Sequence, residues 1–352
     1  MDRSVPAVSI VMTVFNGGRF LASAARSVVA QTWKDWEMVI LDNGSTDGSF
    51  QALEMDLRDE RVRFIRREKN LGIAAGTNAA FAETRGRYVG VLDQDDMMLP
   101  EKLARQVAFL EEHRALSGVG ARTEKIGEDD RSLGGEFTLH TKGEHRSFTQ
   151  FSQAGIFGSY LFRRDTFERF PRRDAFPFSS DYDFVARVGD GGELEALPEV
   201  LFRYRIHANQ TTARRRLDQI AAECAIRVLT ARRRAGAEEN FASVVAVAEN
   251  ALRECRTAKE IYRRFIELKT QGPLFGSTDV STREKREDAA ALLGVYHARK
   301  LVRHASGARD VLFALKKVRE FRRDASWDQR RLLRDLFFFG PIRALDLKPW
   351  RR

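Results

Sequence analysis

Cysteine is nearly absent: Cys224 and Cys255 are the only two in 352 residues. Both fall in helical-looking segments, so reduced thiols are expected rather than a disulfide framework. No Cys/His cluster has the spacing of a zinc site. No run of 18 or more uncharged apolar residues occurs, so no membrane-spanning helix is expected. The opening Met1-Asp2-Arg3-Ser4-Val5-Pro6 leads into an apolar strand rather than a secretory leader, and a cytoplasmic location is expected. Glycine-rich phosphate loops are missing too. Asn16-Gly17-Gly18-Arg19 follows the first apolar run and is too short and too poor in glycine to grip a triphosphate. It also lacks the Gly-x-Gly-x-x-Gly of a dinucleotide-binding turn. Internal repeats, low-complexity tracts and nucleic-acid-binding motifs are absent as well, and no nucleic-acid partner is expected.

What is present reads as a folded chain with more than one domain: 43% of its residues are hydrophobic and 31% charged. The net charge of +10 is uneven. Residues 301–352 hold 14 Lys/Arg against 6 Asp/Glu, which leaves the rest of the chain close to neutral. Such a tail is either a solvated basic helix face or a contact for an anionic surface.

The first hundred residues alternate strand-like and helix-like patterns. Apolar runs at 7–14, 37–42, 62–65 and 88–92 predict strands, separated by helical stretches up to Ala30, from Thr46, over 72–83 and over 100–113. That alternation predicts an α/β architecture, a Rossmann-like and mostly parallel sheet flanked by helices. Residues 114 to about 160 look irregular and polar, with room for a short strand pair and an acceptor-facing loop, and strands and short helices resume over 160–204. After Arg214 the pattern becomes helical, with capping boxes at Thr257, Ser281 and Ser326. Residues 1–212 are therefore expected to form one domain, and 213–352 a helical region with a basic tail.

In a parallel sheet, ligands bind outside the carboxyl ends of the strands. Asp42 ends the second predicted strand and Asp93 the fourth. The fourth continues as Asp93-Gln94-Asp95-Asp96, three carboxylates within four positions. Clustered like charges are costly unless a proton or cation compensates, and Mg²⁺ or Mn²⁺ arriving with a diphosphate is such a compensator. An exposed acidic turn at a helix start is the alternative.

These segments, in this order, resemble the family 2 glycosyltransferases of GT-A fold over roughly residues 7–212. The carrying motifs are Thr13-Val14-Phe15-Asn16, Asp42-Asn43-Gly44-Ser45-Thr46-Asp47-Gly48, Asn70-Leu71-Gly72 through Asn78, Asp93-Gln94-Asp95-Asp96, Ser180-Asp181-Tyr182-Asp183 and Tyr204-Arg205-Ile206-His207. The resemblance implies an inverting transferase that moves a sugar from a UDP-, dTDP- or GDP-sugar to an acceptor hydroxyl. It implies nucleotide contacts from Thr13, Phe15, Asn16, Asp42, Asn70, Gly72, Asn78, Asp93 and Gln94. Mn²⁺ or Mg²⁺ would be held by Asp95 and His207, with Asp96 as a further or supporting ligand. Asp181 would be the catalytic base; Asp183 is the reserve, or pairs with Arg187. Two positions depart from the pattern: Thr77 stands where Arg usually precedes Asn78, and Ser180 where Glu often precedes the base.

The implied acceptor is a saccharide or lipid-linked saccharide of bacterial surface polysaccharide. Residues 326–352 carry apolar side chains at 332, 333, 336 and 337 beside Arg330, Arg331 and Arg334. This face is expected either to dock peripherally on an anionic membrane or to pack against protein. A non-catalytic nucleotide-sugar-binding or scaffold protein is the second reading of the same motifs.

Overall fold

A computed structural model of the chain describes residues 5–137, 155–191, 193–234 and 241–254. The chain divides into two compact units, residues 1–230 with 241–249, and residues 231–240 with 250–352. The candidate site lies in the first.

Strands β1 (Val8–Val14) and β2 (Trp36–Asn43) are apolar on both faces, and all but Thr13 of their residues are buried. Strands covered on both sides suit a parallel sheet with helices above and below. β1 pairs in parallel with β2, from Val8 opposite Trp36 to Val14 opposite Asp42, and on its other edge with β4 (Tyr88–Val91). β2 pairs in parallel with β3 (Val62–Arg67). The crossovers carry α1 (Leu21–Val29), α2 (Ser49–Asp56) and α3 (Ile73–Ala82).

The period of two along each strand sorts the core into two layers. Val8, Ile10, Met12 and Val14 pack with Met38, Ile40 and the α1 residues Leu21, Ala24, Ala25 and Val28. Leu103, Val107 and Leu110 of α4 (Lys102–Glu112) join that layer. Val11, Val39 and Leu41 pack on the other side with Ala80 of α3, Phe167 of α5 (Arg164–Arg169), and Phe184, Val185 and Val188 of α6 (Ser180–Gly191).

The remaining strands are β5 (Met97–Met98), β6 (Leu116–Ile126), β7 (Ser132–Phe137), β8 (Leu161–Arg163) and β9 (Glu193–Arg205). The order across the sheet is β3-β2-β1-β4-β8-β6-β9-β5, with β7 also on β6. Up to β4 the sheet is parallel, as expected. Beyond β4 it is mixed: β8 is antiparallel to β4 and β6, β7 to β6, and β5 to β9, whereas β6 and β9 run parallel.

The strand pair allowed for after residue 114 is present as β6 and β7, but β6 is longer and more buried than the irregular, polar pattern suggested. Gly118 and Gly120 dilute its alternation. Gly118 is needed there, because a Cβ would lie 2.5 Å from Cδ1 of Phe162 on β8.

From Thr211 onward the described residues are helical: α7 (Thr211–Arg214), α8 (Arg216–Arg234) and α9 (Phe241–Glu254). Cys224 is buried on α8. Cys255, the three capping boxes and the basic segment 326–352 lie outside the described residues. No helix among the described residues is long and apolar enough to cross a membrane.

Candidate active site

The carboxyl ends of β1, β2 and β4 meet in one crevice, and their loops are laced together. Gln94 clasps the backbone of Phe15: its Oε1 accepts from Phe15 N (2.9 Å) and its Nε2 donates to Phe15 O (3.2 Å). Asn16, in the left-handed region at φ 50°, donates from N to Ser45 Oγ (2.9 Å), and its Oδ1 accepts from Thr46 N (2.8 Å). Asp42 is buried at the end of β2, and its Oδ1 accepts from Ser45 N (2.9 Å), which fixes the carboxylate's direction. Asn43 Nδ2 donates to Asn70 Oδ1 and to Gly72 O, each at 3.1 Å, while Asn70 Oδ1 also accepts from Gly72 N (2.8 Å). Thr13 Oγ1 is buried without a protein partner, and the Phe15 side chain is exposed. Gln94, read as a nucleotide contact, thus has both ends of its amide engaged within the crevice wall, while Asn70, read likewise, engages its Oδ1 there.

The acidic turn follows β4. Asp93 is open to solvent at the crevice floor, yet surrounding protein displaces much of its water. That desolvation, with the charges of Asp95 and Asp181, pushes its carboxyl up to about 7, against the opposing pull of Arg172. Asp96 is buried and accepts through Oδ1 from Arg205 N (2.9 Å), while its Oδ2 has no partner. Burial, then Asp95 and Asp93, hold its carboxyl well above the usual range. Such crowding of acids marks a place that a cation would relieve.

Asp95 and His207 meet across 112 residues, Nε2 to Oδ2 at 2.8 Å. His207 is steadied by Phe20, with ring centroids 4.9 Å apart. Phe20 also carries the Arg205 guanidinium 4.5 Å from its centroid. Arg205 is fully buried and donates from Nε to Asp95 O (2.8 Å) and from Nη1 to Gly127 O (3.0 Å) and Asp130. Among the described residues no three His, Cys, Asp or Glu side chains already form a cation cage. A carboxylate and an imidazole beside further acids do fit Mn²⁺ or Mg²⁺, which complete their shell with phosphate oxygens and water.

Asp181 lies in the first turn of α6, where the helix N-terminus favours a carboxylate. Its charge acts on Asp93, so α6 brings it to the same crevice. Asp183 takes the other reading foreseen for it. It is buried, accepts from Arg187 Nε at 2.9 Å, and has Arg173 at 3.8 Å. Asn78 binds the backbone of Arg172 on both sides, Nδ2 to Arg172 O (2.9 Å) and Oδ1 from Arg172 N (3.1 Å). Phe20 and Arg172 were not singled out in the sequence. Phe20 sits just past the first loop, and Arg172 reaches residues 94 and 95 positions away, beyond any local pattern.

A Rossmann-like sheet with an acidic turn and a partnered histidine at its carboxyl edge is an arrangement that suits a divalent cation and the phosphates it accompanies. Residues 9–170, a little under half of the chain, match the model of Glycosyl transferase family 2, which supports a family 2 glycosyltransferase. An uncharacterized glycosyltransferase of Haemophilus influenzae is 25% identical over 230 residues, covering 59% of this chain and 68% of its own. A putative teichuronic acid biosynthesis glycosyltransferase, TuaG of Bacillus subtilis, is 36% identical over 108 residues, covering 30% of this chain and 43% of its own. The fold is that of S. aureus TarS 1-349, solved with UDP-GlcNAc, at TM-score 0.54 and 13% identity over 91% of this chain and 93% of that one. It is also that of the Pyrobaculum calidifontis mannosyltransferase PcManGT, solved with GDP-Man and Mn²⁺, at TM-score 0.52 and 16% identity over 90% and 85%.

Proposed function

We propose that this glycosyltransferase moves a sugar from a nucleotide-diphosphate sugar to an acceptor hydroxyl with inversion, in the assembly of a surface polysaccharide or lipid-linked glycan. The observation that carries the reading is the meeting, at one sheet edge, of Asp93, the Asp95–His207 pair and the helix-borne Asp181. The matching folds solved with UDP-GlcNAc and with GDP-Man and Mn²⁺ support a nucleotide-sugar donor. Teichuronic acid biosynthesis in the B. subtilis relative's name supports the acceptor class.

In this reading the base lies against Asp42, Thr13 and the loop of Phe15 and Asn16, and the ribose against Asp93. Asp95 and His207 would hold Mn²⁺ or Mg²⁺, which supplies Lewis-acid stabilisation of charge on the diphosphate. Asp181 takes the proton of the acceptor hydroxyl as its oxygen bonds to the anomeric carbon. The bond from that carbon to the phosphate oxygen breaks on the opposite face, and its electron pair leaves with the nucleoside diphosphate. The laced loops exclude water and keep donor and acceptor aligned.

The test begins with thermal shifts on adding UDP, GDP or dTDP with and without Mn²⁺, since a ligand that binds the folded state raises its stability. Hydrolysis of the matching donor is then compared between the wild type and Asp181→Asn. A nucleotide response with turnover falling at least about a hundredfold in the variant is expected. Equal low turnover in both proteins refutes catalysis and leaves a nucleotide-sugar-binding protein.

A further inference from the structure

Arg172 is 7% exposed, and its guanidinium is spent on neutral hydroxyls. Nη1 donates to Thr77 Oγ1 at 3.0 Å on α3, and Nη2 donates to Ser180 Oγ at 2.7 Å at the start of α6. The guanidinium carbon stands 5.0 Å from the Phe157 ring centroid, and Nε has no partner. Its backbone is held on both sides by the Asn78 side chain. A buried cation bonded to two alcohols keeps most of its charge unneutralised at short range. The carboxylates that act on it are Asp181 first, then Asp93, Asp174 and Asp183. A purely structural filler here would be served as well by an apolar side chain of similar volume. The retained charge therefore has another use.

We infer that Arg172 is a positioning residue for glycosyl transfer: its guanidinium, bonded to Thr77 and Ser180, straps the helix that carries Asp181 to the donor-side helix α3. Its two hydroxyl partners, Thr77 and Ser180, are the positions at which this sequence departs from the Arg and Glu of the family pattern. The guanidinium thus enters the crevice from the segment before α6 instead of from α3. Arg172 acts through Asp181 and through the spacing of the two walls; it does not itself exchange a proton. The inference rests on Asp181 being the base.

The test measures steady-state donor turnover, with and without acceptor, for wild type, Arg172→Met, Arg172→Lys, Ser180→Ala, Asp181→Asn and the relocated pair Thr77→Arg/Arg172→Ser. A shift of about 1 Å in a reacting group costs on the order of a hundredfold. Arg172→Met is expected to lose that much kcat, with donor KM within about twofold of wild type. Arg172→Lys keeps the charge without the two-pronged strap and is expected to fall between. The relocated pair recovers at least tenfold over Arg172→Met, which a merely structural role would not produce. If Arg172→Met does not fold, Ser180→Ala decides, because it removes one prong and leaves the buried charge in place. Its kcat is expected to drop several-fold with donor KM unchanged. Asp181→Asn inactive, with Arg172→Lys and Ser180→Ala at wild-type kcat, overturns the inference alone. Asp181→Asn fully active overturns the parent reading and the inference with it.

Discussion

Glu37 offers a test of the sheet that is independent of the chemistry. It is buried at the start of β2, at the end of the strand away from the crevice. Its Oε1 accepts from Ser9 Oγ (2.8 Å) and Arg85 N (2.6 Å). Its Oε2 faces the guanidiniums of Arg85 (3.3 Å) and Arg63 (3.5 Å). Ser9 Oγ in turn accepts from Gly86 N (2.7 Å), so one carboxylate fastens the entry of β4 to β1 and β2.

Glu37→Gln keeps the shape and removes the charge. Two hydrogen bonds to a carboxylate become neutral ones, a loss of about 0.5–1 kcal/mol each. The two ion pairs, whose arginines are half-exposed, add about 0.5 kcal/mol each after solvent screening. The sum is about 2–3 kcal/mol, or roughly 5–10 °C in Tm for a unit of this size.

The pH dependence has a definite sign. Burial by itself would raise the Glu37 carboxyl. The Ser9 and Arg85 hydrogen bonds, with the charges of Arg63 and Arg85, outweigh it and hold the pKa below the ordinary 4.5. A carboxyl lowered on folding contributes stability above its unfolded pKa and loses it as pH falls through the folded one. The Tm gap between wild type and Glu37→Gln should therefore be full at pH 7 and close below 4.5. Thermal unfolding from pH 7 to pH 3 measures it, with nucleotide binding at 20 °C expected to be unchanged. A variant within 1 °C of wild type at pH 7, or a gap constant to pH 3, refutes the reasoning.

Two further outcomes concern the crevice. Asp95→Asn relieves repulsion with Asp93 and Asp96 while its amide can still meet His207, so without nucleotide the protein should be about 1 kcal/mol more stable. The same variant should lose the extra thermal shift that Mn²⁺ adds to a nucleoside diphosphate, and an undiminished shift would remove Asp95 from the cation site. Gly76→Ala on α3 places a Cβ 2.8 Å from Thr13 Cγ2 and 3.0 Å from Asn43 Nδ2. The overpacking should cost about 1–3 kcal/mol and weaken nucleotide-dependent stabilisation; a variant with wild-type Tm and response would show that α3 has room to move.

Much of the parallel half was legible in the chain. β1, β2 and β4 are largely apolar and almost wholly buried, and such runs, alternating with helical stretches, have few other ways to bury both faces. Asp42 and the Asp93 turn were legible as candidates for the same reason, since each follows directly on a strand whose carboxyl end faces the crevice. β6 was not, because Gly118 and Gly120 thin its alternation, and the need for Gly118 appears only once the Phe162 ring lies against it. The sequence by itself thus determined the βα alternation and the acidic turn, which depend on neighbours within a few residues. Only the tertiary structure decided that His207 meets Asp95, that Asp183 is spent on Arg187 while the charge of Asp181 acts on Asp93, and that Arg172 joins Thr77 to Ser180. Apart from the Asp183–Arg187 pair within one helix, those partners are brought together by strand order and helix packing, which local periodicity does not encode.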